Sequence, residues 1–213
     1  MTSEGKSRGA MRIAVLLSGS GTSLENLCER IDSGEVPGEV VAVIGSREQA
    51  FGLERARRRG ISAFAVAREQ HPDISAFNDA IHAVLDEIDP DLVCLLGFMS
   101  PFETRGRYDG RAINVHPALI PAFCGKGMYG HHVHEAVLEH GAKLTGATVH
   151  FVDAGYDTGP IILQRAIEVR DNDTPDTLAE RVQAVERELV PEAVRLFAES
   201  RLTIEGRRVK IKD

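Results

Sequence analysis

Residues 12–23 read RIAVLLSGSGTS. The run is apolar from Ile13 to Leu17, breaks at Ser18-Gly-Ser-Gly-Thr-Ser, and gives way to helical spacing near Leu24. That order is strand, glycine-rich turn, helix. Working outward, residues 40–44 read as a second strand, and a helix over 48–59 follows, with Gly60 as its stop. Residues 62–66 are a third strand. Over residues 72–88, Ile74, Phe77, Ile81, Val84, Leu85 and Ile88 share one helical face. Residues 91–96 form a continuous apolar run, as expected of a strand buried on both sides. Strands alternating with helices at this spacing predict an α/β fold, a doubly wound and mostly parallel sheet.

The second half is less regular. A short strand, 112–115, runs into His116-Pro117, and a Pro- and Gly-rich loop continues to about Gly130. A helix near 132–140, strands over 146–152 and 161–169, and a turn over 153–159 come next. Thr174 caps a long helix and Pro175 fits its first position; Leu178, Val182, Val185, Leu189 and Leu196 give it a buried face. Residues 202–211 read as a hairpin around Glu205-Gly206. The first ten residues lack an apolar core and read as a disordered leader, neither signal peptide nor anchor, so residues 11–213 are expected to form one domain.

A hydrophobic share of 43% and a charged share of 27% place the chain among globular proteins. A net charge of -7 argues against nucleic-acid binding, and no apolar run is long enough to cross a bilayer. Cys28, Cys94 and Cys124 are odd in number and far apart, which suits small buried thiols in a reducing compartment. The cytoplasm is the expected location, as a monomer or homodimer.

Five groups of residues are candidates for chemistry. Gly19 and Gly21 let helix N-terminal amides approach an anion, although neither a Walker lysine nor the dinucleotide spacing is present. A phosphate site and a plain tight turn both stay open there. Asn114 and His116 lie two apart on a strand and face one side; an amide beside an imidazole suits an oxyanion and a proton. Asp153 and Asp157 sit in a turn where carboxylates often bond their own backbone, yet a carboxylate near His116 would favour the imidazolium. His131, His132 and His134 with Glu135 have the wrong spacing for a metal and read as a solvated helix start; no metal is expected. Gln183 and Glu186, three apart, share one face of the long helix.

The motifs Ser18-Gly-Ser-Gly-Thr-Ser, Gly97-Phe98-Met99, Asn114-Val-His116-Pro117 and Asp153-Ala-Gly-Tyr-Asp157-Thr-Gly-Pro, in this order and with Ala50-Phe-Gly-Leu-Glu-Arg-Ala-Arg between them, resemble the phosphoribosylglycinamide formyltransferases, one of the folate-dependent formyltransferase families. The resemblance covers residues 11–211. It implies a purine-biosynthetic transferase that moves the formyl group of 10-formyltetrahydrofolate onto the amine of glycinamide ribonucleotide. It implies Asn114, His116 and Asp157 as the catalytic trio, supported by His150. It also implies that Gly21, Thr22 and Ser23 cradle the phosphate and that Gln183 and Glu186 hold the rest of the substrate. Met99, Ser100, Pro101, Phe102 and Asp153, with Asn114 and Asp157, would line the folate pocket. Two stretches depart from the common pattern: Ser100-Pro101-Phe102 replaces an Arg-x-Leu, and Phe123-Cys-Gly-Lys-Gly-Met-Tyr-Gly is longer than usual.

Related chemistries are weighed on the same residues. A formyltetrahydrofolate hydrolase would bring a regulatory domain ahead of the catalytic one, and ten leader residues cannot form it. A methionyl-tRNA formyltransferase would bring a further C-terminal domain and a basic surface. A sugar-nucleotide formyltransferase remains an alternative, as does a non-catalytic Rossmann-like module for a phosphorylated ligand.

Overall fold

The computed structural model describes residues 10–213, so the predicted leader lies, apart from Ala10, outside the described residues. Its centre is β1 (Arg12–Leu17), whose alternate side chains enter two different cores. Ile13, Val15 and Leu17 face one core with Leu24, Leu27 and Cys28 of α1 (Thr22–Asp32) and Leu53 and Ala56 of α2 (Phe51–Arg58). Ala14 and Leu16 face the other, with Phe77, Ile81 and Leu85 of α3 (Ile74–Ile88). A strand apolar on both sides is what a sheet with helices on both faces requires.

Around β1, the strands β2 (Glu39–Gly45), β3 (Ser62–Ala65), β4 (Leu92–Leu95), β5 (Ala112–His116), β6 (Leu144–Phe151), β7 (Ile161–Glu168), β8 (Leu202–Glu205) and β9 (Arg208–Ile211) form one sheet of nine strands, ordered β3-β2-β1-β4-β5-β6-β7-β9-β8. The first five strands in that order pair in parallel. β6 runs antiparallel to both β5 and β7, and β8 antiparallel to β9. The fold is therefore doubly wound and mostly parallel, with antiparallel strands in its C-terminal half. Strand order reverses between β1 and β4, and open α/β sheets place their ligand crevice outside the strand ends at such a point.

Several predicted boundaries shift for local reasons. The second helix begins at Phe51 and not at residue 48, because Ala50 is held extended (φ -60, ψ 112) and the Gly52 N–H is drawn to the Gly19 carbonyl at 3.0 Å. The third begins at Ile74, where the Asp73 carboxylate accepts from the Ala76 N–H at 2.8 Å. The last helix, α5 (Pro175–Ala198), starts where predicted. The Thr174 hydroxyl accepts from the Thr177 N–H at 3.2 Å, and the Thr177 hydroxyl accepts from the Thr174 N–H at 2.9 Å. α4 (His131–Glu139) packs beside α5. Cys28 and Cys94 are buried and Cys124 is half-buried, all three as free thiols. No helix among the described residues is long and apolar enough to cross a membrane.

Candidate active site

A cleft of about 1050 Å³ opens at the reversal of strand order, and every residue to which the resemblance gives a role lines it. Its first wall is the turn after β1. Gly21 is the N-cap of α1 in the left-handed region (φ 74), with no side chain closing the cap. The first amides of α1 thus have no side-chain cap where the turn lines the cleft, and uncapped helix N-terminal amides suit an oxyanion. A Cβ at Gly21 would stand 2.6 Å from the Gly52 Cα, so the two helices meet there through bare backbone. The turn is tied to the neighbouring strand end by Ser18. Its hydroxyl accepts from the Met99 N–H at 2.8 Å and meets the Ser46 hydroxyl at 2.6 Å.

A cluster of polar side chains in the cleft converges on Asp157. Asp157 is a non-glycine residue at φ 55, a conformation that aspartate tolerates better than most residues. Asn114 Nδ2 donates to its Oδ1 at 3.2 Å, and the Gly125 N–H donates to its Oδ2 at 3.1 Å. His116 Nδ1 lies 3.5 Å from Oδ2 and His150 Nε2 lies 3.6 Å from Oδ1. The sheet brings these groups together. Asn114 and His116 share one face of β5, and Asn114 is the direct cross-strand partner of His150 on β6. The carbonyls fix the imidazoles, since an oxygen that only accepts requires N–H opposite it. Phe123 O at 2.8 Å places the hydrogen of His116 on Nε2, and Phe151 O at 2.8 Å places that of His150 on Nδ1. His150 Nε2 is then free to accept from Asn114 Nδ2 at 3.1 Å.

Burial sets the charge state. His116 is 3% exposed, and loss of water holds its pKa below the ordinary imidazole value despite the pull of Asp157. Desolvation opposes the pull that the carboxylate exerts toward the imidazolium. Burial also pushes Asp157 upward, but donors around it, the Gly125 N–H among them, hold its pKa below the ordinary carboxylate value. The trio at rest is a carboxylate beside a neutral imidazole.

On α5, Gln183 is exposed and Glu186 half-buried along the cleft. Burial pushes the Glu186 carboxyl up to about 7, and Arg187 counters it slightly. Met99, Ser100 and Pro101 also line the cleft. Phe102 lies in the same wall, but its ring is buried and stacked on His82 at 5.6 Å. The Asp153 carboxylate is taken up within its own turn, accepting from the Gly155 N–H at 3.0 Å and the Thr158 hydroxyl at 2.6 Å.

The histidine-rich start of α4 overturns an expectation. His131 and His132 are exposed, as a solvated helix start would have them, but His134 is 3% exposed and lines the cleft. It falls on the buried face with Val133 and Val137. The signal was present in the spacing, because His134 stands three and four residues before Val137 and Leu138. Gly125 and the Phe123 carbonyl act through backbone, which residue type does not announce. Among the described residues, no three His, Cys, Asp or Glu side chains gather in a way that could hold a metal ion.

Residues 11–194 match the family described as formyl transferase. The chain is 41% identical over 198 residues to a phosphoribosylglycinamide formyltransferase of Mycobacterium tuberculosis, a match covering 92% of this chain and 89% of that protein. It is 38% identical over 191 residues to the bovine trifunctional purine biosynthetic protein adenosine-3, covering 88% of this chain and 18% of that longer protein. Among solved structures, glycinamide ribonucleotide transformylase 1 from Symbiobacterium toebii superposes with a TM-score of 0.91 at 44% identity, with 100% of both chains covered.

Proposed function

We infer the reaction from one premise: the chain belongs to the formyl transferase family and is an enzyme of that kind. It transfers the formyl group of 10-formyltetrahydrofolate to the primary amine of glycinamide ribonucleotide, a step of purine biosynthesis. Relatives named for that reaction support it. The observation that carries the residue roles is the Asp157 carboxylate, which meets Asn114, His116, His150 and the Gly125 N–H on one wall of the cleft. The amides after Gly21, with Thr22 and Ser23, suit the substrate phosphate. Gln183 and Glu186 suit its ribose and glycinamide portion. The cleft wall at Met99 to Phe102, with the Asp153 turn, suits the folate. Three free cysteines fit the cytoplasm as the compartment.

The amine nitrogen attacks the formyl carbon, forming a C–N bond and a tetrahedral centre whose oxygen carries the negative charge. Asn114 exchanges its His150 contact for that oxygen. The attacking nitrogen must shed a proton, and neutral His116 is poised to take it at Nδ1, where Asp157 stabilises the resulting imidazolium. The tetrahedral centre then collapses. The bond from the formyl carbon to the folate nitrogen breaks, the imidazolium returns its proton to that nitrogen, and tetrahydrofolate leaves. The amine has lost one hydrogen and the folate has gained one, so no redox partner or metal is required.

The test mixes protein, formyl donor and glycinamide ribonucleotide, and follows absorbance of the released folate with and without the ribonucleotide. Release should depend on the ribonucleotide, and acidification through the depressed His116 pKa should abolish it, because an imidazole already protonated cannot accept. Asp157→Asn, isosteric but uncharged, should lose about a hundredfold or more in turnover with an unchanged circular-dichroism spectrum. Ribonucleotide binding without folate release would favour a binding module. Near-native turnover in Asp157→Asn would remove the carboxylate from the mechanism.

A further inference from the structure

The cleft is acidic, yet both proposed ligands carry anions. Glu103, Asp153, Asp157 and Glu186 line it, against two side chains of the lysine or arginine type, Arg105 and Lys126. Arg105 is already engaged by Asp79 at 2.6 Å and Glu103 at 3.1 Å. Arg55, close behind the phosphate-type turn, donates to the Ser20 carbonyl at 3.0 Å and reaches Glu25 at 3.4 Å. The lysines that form ion pairs among the described residues are Lys143 and Lys210. Lys126 is exposed and free of them.

Its backbone setting is specific. The Met128 N–H donates to the Gly125 carbonyl at 3.0 Å, which closes a four-residue turn with Lys126 and Gly127 at its corner. Gly127 has φ 89, the left-handed value that the third position of a type II turn demands. Lys126 therefore occupies the second position, where the side chain projects from the corner. The first residue of the turn, Gly125, holds the Asp157 carboxylate through its N–H at 3.1 Å. The ammonium group is thus borne by a turn clamped to the catalytic carboxylate, one residue away, on the wall of the cleft.

We propose that Lys126 is a specificity-determining residue of this cleft, the cation that recognises an oxyanion of a bound ligand, either the phosphate monoester of the amine substrate or a carboxylate of the donor's tail. The assignment rests on the formyl-transfer reading for the identity of the ligands. That reading supplies the two anionic ligands, and a cleft with four carboxyl side chains needs a countercharge beyond helix amides to receive them.

The test uses the full chain with Lys126→Gln and Lys126→Arg, in two binding arms. Titration with ribose 5-phosphate reports the phosphate alone. Titration with formyl donors that possess or lack the glutamate tail reports the carboxylate alone. Lys126→Gln should weaken one arm by about tenfold, as loss of a charged hydrogen-bond partner does, and Lys126→Arg should restore most of it. Weakening of ribose 5-phosphate identifies the phosphate. Loss of the wild type's preference for the glutamate-bearing donor identifies the carboxylate. Affinities within twofold of wild type on both arms, in a variant with native melting behaviour, overturn the assignment. Failure of the wild type to release folate with the proposed pair would instead overturn the reaction, and the titrations would still decide Lys126.

Discussion

His134 shows how a single side chain ties burial to pH. Its ring is closed off from water, and Nδ1 has no hydrogen-bond partner among the described residues. Burial, reinforced by His131 and His116, pulls its pKa down from 6.5 to about 4. A folded-state value below the unfolded one means that the unfolded chain binds the proton first. The stabilising contribution is complete above pH 6.5 and is lost as the pH falls toward 4. Between pH 7 and pH 5 the cost is about 2 kcal/mol. Denaturant unfolding at those two pH values should show it, and the non-titrating His134→Gln should have a pH dependence smaller by that amount. Identical pH dependence in both proteins would exclude His134 as the acid-sensitive group. Residue type and spacing foretold that Asn114 and His116 would share a strand face, because strand periodicity alone enforces it. They did not foretell how burial would set the charge of His116 or His134, since desolvation depends on what packs over a side chain from elsewhere in the chain.

At the scale of elements, the turn after β1 works only because α2 meets α1 without side chains. The sequence shows Gly19 and Gly21 but has Leu24 where a dinucleotide fingerprint would place a third glycine. Close approach is supplied instead by Gly52 at the start of another helix, a pairing that no local motif announces. The pairing also explains why the second helix starts three residues later than its apolar spacing suggests. Gly34, in contrast, has a similar φ of 79 with nothing within 4 Å of an added Cβ. Gly34→Ala should therefore carry only the left-handed penalty, about 1 kcal/mol. Gly21→Ala adds a 2.6 Å collision with backbone, and its total should reach about 2 to 4 kcal/mol. Urea midpoints of the two variants measure the difference, and ribose 5-phosphate affinity should fall in Gly21→Ala alone. Equal destabilisation by the two substitutions would mean that the helix crossing yields freely and does not shape the turn.

Across the whole molecule, stability should be graded along the sheet. The parallel strands near β1 and β4 were legible as runs of apolar residues because both faces are buried, and those same strands place the cleft. The tail was legible as a hairpin from its turn, but its attachment to the sheet was not. β9 meets β7 through a single register pair, Ile161 with Arg208. Such a join has no sequence signature. The hairpin leaves Ile204 at 41% and Ile211 at 42% exposure, and Leu202 and Val209 are only partly buried against the main core. Little apolar surface is lost when it detaches, so its amides should open locally while those of β1 and β4 open only with global unfolding. A difference of about 4 kcal/mol in opening free energy corresponds to roughly a thousandfold in exchange protection. Native-state hydrogen exchange, resolved by residue, measures it: Ile204, Val209 and Ile211 should exchange first, and Val15, Leu16, Val93 and Cys94 last. Protection of the hairpin equal to that of β1 would show that one weak bridge is enough to make all nine strands a single cooperative unit. The candidate site would then sit in a sheet without a yielding edge on that side.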